Sequence, residues 1–562
     1  MATRFTPQAD PAPAAWANPH GWDEQPRLLG DFLAEAVLEH GERRAIDFMG
    51  RHWSYKDLGR LVERTARGLQ DIGLGKGERI ALCLPNVPYY IVLYFAALRI
   101  GAVVVNLNPL YTEHELDHLI RDSGARVVAV PDIASIHAKV RNVGPAAGIE
   151  HIIMCPMSAI LPAMQSLGWW ILRRRDHARY EDDGLHLPFM RLIERREAPD
   201  PVVLAPEDLA VLQYTGGTTG TPKGAMLSHA NLVANALQQR AHIGRGLKGP
   251  QRTLAVLPFF HVFALTAVLD FSILIAAELV LLPRFEMKQF LATIERTRPT
   301  LFFGVPTIFI AMNALPEAQL PDLSDWRACI SGGAPMPLDV RRAFEARTGV
   351  RVCEGYGLTE ASPIVTCNPV DGVIKDNSCG VAFPGTIIEI RDPETPARIM
   401  PPGERGEICV RGPQVMAGYW NQPQASAQAF ADGALRTGDI GYLDADGYLF
   451  IVDRMKDVIL SGGYNVYPRI IEEAAYRHPA VEEAIAIGVP DAYRGQAAKL
   501  FVKLREGQDA TPEAIRAFLA DYLNPIERPH EVEIRDHLPR TLVGKLSKKE
   551  LVAEEMARHQ PQ

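Results

Sequence analysis

At 562 residues the chain exceeds what one hydrophobic core can organise, so roughly three to four domain-sized units are expected. Its net charge of −8 argues against nucleic-acid binding, which needs a basic face. Seven cysteines without a C-x-x-C pair form neither a disulfide framework nor a zinc site, and an apolar share of 47% is that of a globular protein, so a cytoplasmic location is expected.

The first 28 residues are polar and proline-rich, without the apolar centre of a signal peptide, and read as an arm. From there to about residue 355, strand-like apolar runs alternate with helix-length segments. "RIALCLP" leads to "PYYIVLYFAALRIG", then "AVVVNL", "TEHELDHLIRDSG" and "RVVAV"; a second series runs from "TLAVLP" through "LVLLP" and "TLFFGVP" to "RACISGG" and "VRVCEGYG". Alternation of this kind predicts α/β architecture, with parallel sheets covered by helices. The most apolar stretch, "ALTAVLDFSILIAAELVLLPRF", contains Asp270 and Glu278, which favours a buried helix followed by a strand over a membrane span. Over about 377–450, short strands broken by Gly, Pro and Asp predict a small barrel or twisted antiparallel sheet. The last hundred or so residues suffice for a separate mixed domain.

The segment 157–180, "MSAILPAMQSLGWWILRRRDHARY", sets Met164, Leu167, Trp170 and Ile171 at helical spacing and ends in Arg173, Arg174 and Arg175. It reads either as a helix lying on an anionic membrane surface or as one docked on its own protein.

"YTGGTTGTPKGA" (214–225) gathers glycines, threonine hydroxyls and Lys223 between two strand-like runs. Glycines let backbone amides approach an oxyanion, and the lysine adds a point charge. A Walker loop needs Gly before the Lys and a helix directly after; here Pro222 precedes Lys223, so that reading fails. "DADG" near Asp444 and Asp446 lacks the closing Glu of a calcium loop and reads as a hairpin turn ending at Gly447.

Together with "SGGAP" (331–335), "YGLTEASP" (356–363), "TGDIGYLDADGYLFIVDRMKD" (437–457) and "PRTLVGKLSKKEL" (539–551), this loop resembles the motifs of the adenylate-forming superfamily of acyl-CoA synthetases, luciferases and peptide-synthetase adenylation domains. The phrasing is most similar to bacterial long-chain fatty-acid–CoA ligases. The resemblance implies a large N-terminal catalytic domain over 29–453, made of two doubly wound α/β subdomains and a small β-barrel-like one. A hinge at 454–457 and a small mobile α+β domain over 458–562 would follow.

The implied reaction is ATP-dependent activation of a fatty acid to acyl-AMP with release of pyrophosphate, then transfer to coenzyme A. Medium-chain or aryl acids, and delivery to a carrier protein instead of coenzyme A, are the alternatives. By the same resemblance, Glu360 holds Mg²⁺, Thr359 lies near the α-phosphate, and Lys545 bridges the acyl carboxylate and the ATP phosphates. Thr215, Gly216, Gly217, Thr218, Thr219, Gly220 and Lys223 cradle phosphate. Gly332, Gly333 and Ala334 face Glu354, Gly355, Tyr356 and Gly357 across an adenine slot, and Asp439 and Arg454 meet the ribose. Lys456 is the pivot, with Gly462, Gly463 and Tyr464 carrying backbone to coenzyme A; Lys548 and Lys549 read as solvated. Phe260, His261, Phe263, Gly304, Val305 and Phe309 line the acyl site. Fatty acid, ATP and coenzyme A are thus the expected partners, with peripheral membrane contact and a homodimer as further expectations.

Overall fold

The computed structural model describes residues 27–172, 176–180, 183–215, 222–244, 247–461, 464–491, 494–540 and 546–558. The expected arm lies outside them up to residue 26, as do Arg173, Arg174 and Arg175.

Among the described residues the strands form four sheets. The first takes His186–Pro188, His151–Cys155, Val127–Pro131, Arg79–Leu82, Val103–Asn106, Leu209–Thr215 and Lys223–Ser228 in that spatial order. It is parallel up to Leu209–Thr215 and closes with an antiparallel hairpin. The second runs Val381–Ala382, Ile364–Cys367, Cys353–Gly357, Ala328–Ser331, Leu301–Gly304, Arg252–Ala255, Glu278–Leu281, Arg44–Phe48, Arg51–Ser54. Its middle is parallel and both ends are antiparallel. Strand Arg44–Phe48 enters this sheet from far upstream, beside Glu278–Leu281.

A helix that is apolar all round must be covered all round. Helix Pro88–Arg99, "PYYIVLYFAALR", is buried at every position but Arg99 and packs in the core to which both sheets contribute. The stretch carrying Asp270 is helical through Val262–Ala264, a π-helical Leu265–Asp270 and Phe271–Leu274, and strand Glu278–Leu281 follows. Burial pushes the Asp270 carboxyl well above its ordinary value, and a neutral acid is what such a helix can tolerate. No helix among the described residues is long and apolar enough to cross a membrane.

The glycine-broken region forms an antiparallel sheet of Ile387–Arg391, Gly406–Arg411 and Ala434–Leu443, the last also pairing with Phe430–Ala431 and Leu449–Arg454. The C-terminal sheet has Tyr464–Val466, Ile459–Ser461, Gly495–Leu504 and Val481–Asp491 in order, with Glu531–Ile534 parallel to Gly495–Leu504. The seven cysteines are buried and unbridged.

Candidate functional site

Parallel neighbours end on the same edge of a sheet, and that edge is where α/β proteins hold ligands. Strands Ala328–Ser331 and Cys353–Gly357 pair in parallel, so "SGGAP" and "YGLTE" emerge side by side. Gly357 is required there: a Cβ would stand 2.2 Å from the Pro363 carbonyl oxygen. One turn later comes the short helix Thr359–Ala361. Its Glu360 accepts the Tyr419 hydroxyl on Oε1 at 2.7 Å, and the Glu360 carbonyl accepts the Met416 amide at 2.8 Å. Oε2 of Glu360 has no hydrogen-bond partner among the described residues. A single hard carboxylate oxygen suits Mg²⁺, which shares phosphate oxygens and keeps water for its other positions.

The phosphate-loop motif hangs from the hairpin of the first sheet. Thr215 pairs with Lys223, while Gly216, Gly217, Thr218, Thr219 and Gly220 lie outside the described residues. The loop joins two strands, as expected, and a helix begins only at His229. Ser228 caps it: its Oγ accepts the Asn231 amide at 3.2 Å, and Asn231 Oδ1 accepts the Ser228 amide at 3.0 Å. Lys223 Nζ stands 5.0 Å from the centre of the Tyr419 ring.

The Tyr356 hydroxyl donates to Asp439 Oδ2 at 2.6 Å, and Arg454 Nε lies 3.5 Å from the other oxygen. Burial raises the Asp439 carboxyl, and Arg454 opposes that. Glu354 points inward instead. Its carboxylate accepts the Met336 amide at 3.2 Å, and burial, countered by Arg469, lifts its pKa to about 7. Gly332 packs more closely than Gly355: a Cβ on Gly332 would lie 2.9 Å from the Phe263 ring, whereas one on Gly355 would lie 3.3 Å from the Thr366 carbonyl oxygen. Gly332, expected in the nucleotide slot, and Phe263, expected at the acyl site, thus lie side by side with no room for a Cβ between them.

Two buried amides missed in the sequence hold the acyl-side segment. Asn86 donates to the carbonyls of Ala255 and Leu257 at 3.1 and 2.8 Å and accepts the Phe259 amide at 2.9 Å. Gln213, one residue before the motif's Tyr214, donates to the Phe260 carbonyl at 2.9 Å. His261 caps the next helix through Nδ1, which accepts the Phe263 amide. Phe260, His261 and Phe263 are half-buried, whereas Gly304 and Val305 are buried. Phe309 is fully enclosed, with its ring edge-on to Phe302 and Phe344.

Beyond Arg454, Lys456 sits in the single turn Met455–Asp457, where burial, then Arg454, lowers its pKa. The Arg469 amide donates to Asp453 Oδ2 at 2.7 Å, tying the first C-terminal helix to the last strand before the turn. Tyr464 is exposed; Gly462, Gly463 and Lys545 lie outside the described residues. Lys549 is exposed, but Lys548 is not simply solvated: it pairs with Glu472 at 3.1 Å. The basic run read as solvated, but helix Pro468–Tyr476 of the same C-terminal region brings Glu472 against Lys548.

The model of the AMP-binding enzyme family matches residues 33–420, and that of the AMP-binding enzyme C-terminal domain matches 470–545. A long-chain-fatty-acid–CoA ligase of Bacillus subtilis (strain 168) is 39% identical over 545 residues, covering 96% of this chain and 97% of its own. A feruloyl-CoA synthase of Amycolatopsis sp is 36% identical over 526 residues, covering 93% and 98%. Among solved structures, ATP-bound MatB from Rhodopseudomonas palustris superposes with a TM-score of 0.83 at 30% identity, covering 94% of this chain and all of that one.

Proposed function

The chain belongs to the AMP-binding enzyme family as an adenylate-forming acid–CoA ligase that uses ATP and coenzyme A, and from that premise we propose that its acid is a long-chain fatty acid. The observation that carries this reading is the likeness, over nearly the whole chain, to ligases named for that substrate. The acyl-side residues agree with it. Phe260, His261 and Phe263 offer aromatic surface and no anion to hold a substrate ammonium, and each methylene buried on apolar surface contributes about 0.8 kcal/mol.

The chemistry is substitution at phosphorus followed by acyl transfer. A carboxylate oxygen attacks the α-phosphorus of ATP, forming the acyl–AMP anhydride as pyrophosphate leaves. The thiol sulfur of coenzyme A then attacks the acyl carbon, and AMP leaves with the bonding electrons. In the proposed roles, Asp439 and Arg454 orient the ribose, Lys223 meets phosphate, and Lys545 offsets the repulsion between two anions in a site of reduced dielectric. Glu360 would hold Mg²⁺, which when bound neutralises phosphate charge. Lys456 is the pivot between residues 29–453 and 458–562.

Pyrophosphate release measured over acids of increasing length, with and without coenzyme A, tests the reading. A kcat/KM that climbs with chain length into the long-chain range is expected. A maximum on a hydroxycinnamic acid would favour instead an aryl ligase, a second reading supported by the likeness to feruloyl-CoA synthase. Lys545→Ala should nearly abolish adenylation and spare thioester formation from synthetic acyl-AMP; equal loss of both would refute its role.

Peripheral contact with an anionic bilayer through 157–180 is the remaining element. What supports it is helix Ala163–Leu172, on which Met164 is 87% and Leu167 60% exposed, with three arginines next in sequence. Exposed apolar side chains beside cations are what an interfacial helix presents.

A further inference from the structure

One aromatic ring touches both charged groups expected to handle magnesium–ATP. The Tyr419 hydroxyl donates to Glu360 Oε1 at 2.7 Å, and Lys223 Nζ stands 5.0 Å from the centre of the same ring. The tyrosine itself is fixed by backbone. Its amide donates to Ser426 Oγ at 2.8 Å, the Met226 amide donates to the Gly418 carbonyl at 2.9 Å, and the Trp420 amide donates to the Gly224 carbonyl at 2.8 Å. The segment around Tyr419 thus adds to the edge of strand Lys223–Ser228, while its Met416 amide holds the Glu360 carbonyl.

We propose that Tyr419 is a positioning residue for magnesium–ATP: its hydroxyl aims the Glu360 carboxylate, and its ring holds Lys223 beside the phosphate loop until nucleotide arrives. A donor on Oε1 fixes the carboxylate's rotation and leaves Oε2 for the metal, as partners of metal-binding carboxylates commonly do. A cation over a ring is held less strongly than a cation on phosphate, so Lys223 can exchange one for the other when ATP binds. A ring that served only for packing would leave magnesium dependence untouched.

The inference rests on Glu360 as the metal-side carboxylate, so the experiment includes Glu360→Gln. In the purified full chain, Tyr419→Phe keeps the ring and removes the hydroxyl, and Tyr419→Leu removes both. Two quantities are read: the magnesium concentration that half-saturates acid-dependent pyrophosphate exchange, and ATP affinity without acid, by calorimetry with and without magnesium. Tyr419→Phe should raise the magnesium requirement about tenfold, the size expected for losing a hydrogen bond to a charged group, and leave magnesium-free ATP affinity unchanged. Tyr419→Leu should in addition tighten magnesium-free ATP affinity, by about threefold, because Lys223 then gives up no ring contact to meet phosphate. A raised requirement in Glu360→Gln with a wild-type requirement in Tyr419→Phe would overturn the inference and leave the Glu360 reading standing. An unchanged requirement in Glu360→Gln would overturn both. Should Tyr419→Leu fail to fold, Tyr419→Phe decides alone.

Discussion

The Tyr356 hydroxyl donates to Asp439 at 2.6 Å across 83 positions of sequence, binding the mixed nine-stranded sheet to the antiparallel one that holds Ala434–Leu443. The same carboxylate is proposed to accept the ribose hydroxyls, so tyrosine and sugar would share one acceptor. An ionised carboxylate has enough lone pairs for both. Asp439→Asn should therefore bring the kcat/KM ratio of ATP to 2′-deoxy-ATP towards one. Tyr356→Phe should keep the ratio but raise the KM for ATP about tenfold or more, since a hydrogen bond to a charged group contributes about 1.5–3 kcal/mol. Steady-state kinetics with both nucleotides measures this, and an unchanged ratio in Asp439→Asn would remove the ribose assignment.

The order of sheets, strands and motifs was legible because buried parallel strands write continuous apolar runs, and glycine-rich turns punctuate them. Tyr356 from one motif and Asp439 and Arg454 from another do converge. Other partners were not legible. Tyr419 reaches Glu360 across 59 positions, and Asn86 reaches Leu257 across 171. Such contacts depend on how sheets stack, which hydrophobic period does not encode. Glu354 shares a strand with Tyr356, but its carboxylate accepts the Met336 amide, a partner that no local pattern announces. The entry of Arg44–Phe48 into the second sheet is likewise a choice of neighbour, made by packing and not by local pattern.

Glu354 carries a pH signature. Its folded pKa of about 7 lies above the ordinary 4.5, chiefly through burial, with Arg469 and Arg341 pulling down and Glu473 pushing up. A raised carboxyl contributes stability that is complete below the unfolded pKa and is lost as pH rises through the folded one. Glu354→Gln mimics the neutral acid throughout. Thermal unfolding of both proteins from pH 5 to 8 should show the wild type losing Tm relative to the variant, with most of the change between pH 5 and 7 and little above the folded pKa of about 7. A constant difference would mean that Glu354 does not titrate in this range.

Lys456, the proposed pivot, lies in the single helical turn Met455–Asp457, where few backbone dihedrals would need to change for the residues that follow to rotate. Proline fixes φ and removes an amide donor, so Lys456→Pro should uncouple the two half-reactions. Pyrophosphate exchange is expected to stay within a few-fold of wild type, and thioester formation from supplied acyl-AMP to fall at least tenfold. These magnitudes follow the rule that hinge changes act on conformational steps rather than on bond chemistry. Wild-type rates in both assays would move the pivot elsewhere.

The last prediction concerns Met164 and Leu167, whose side chains are exposed on one helix. The neighbouring Trp169 is half-buried and stacks on His177, ring centres 5.7 Å apart, so one part of the helix is docked on the protein while another faces out. Burying two apolar side chains in a bilayer contributes a few kcal/mol, and each cation near an anionic surface adds about 1 kcal/mol. That sum gives reversible binding that depends on lipid charge and salt. Flotation should therefore recover the wild type with anionic vesicles at low salt, recover less at high salt, and recover little with zwitterionic vesicles. Met164→Glu with Leu167→Glu should abolish recovery without changing turnover of a short soluble acid. Equal flotation of the wild type and the double variant would assign these side chains to the solvated surface alone.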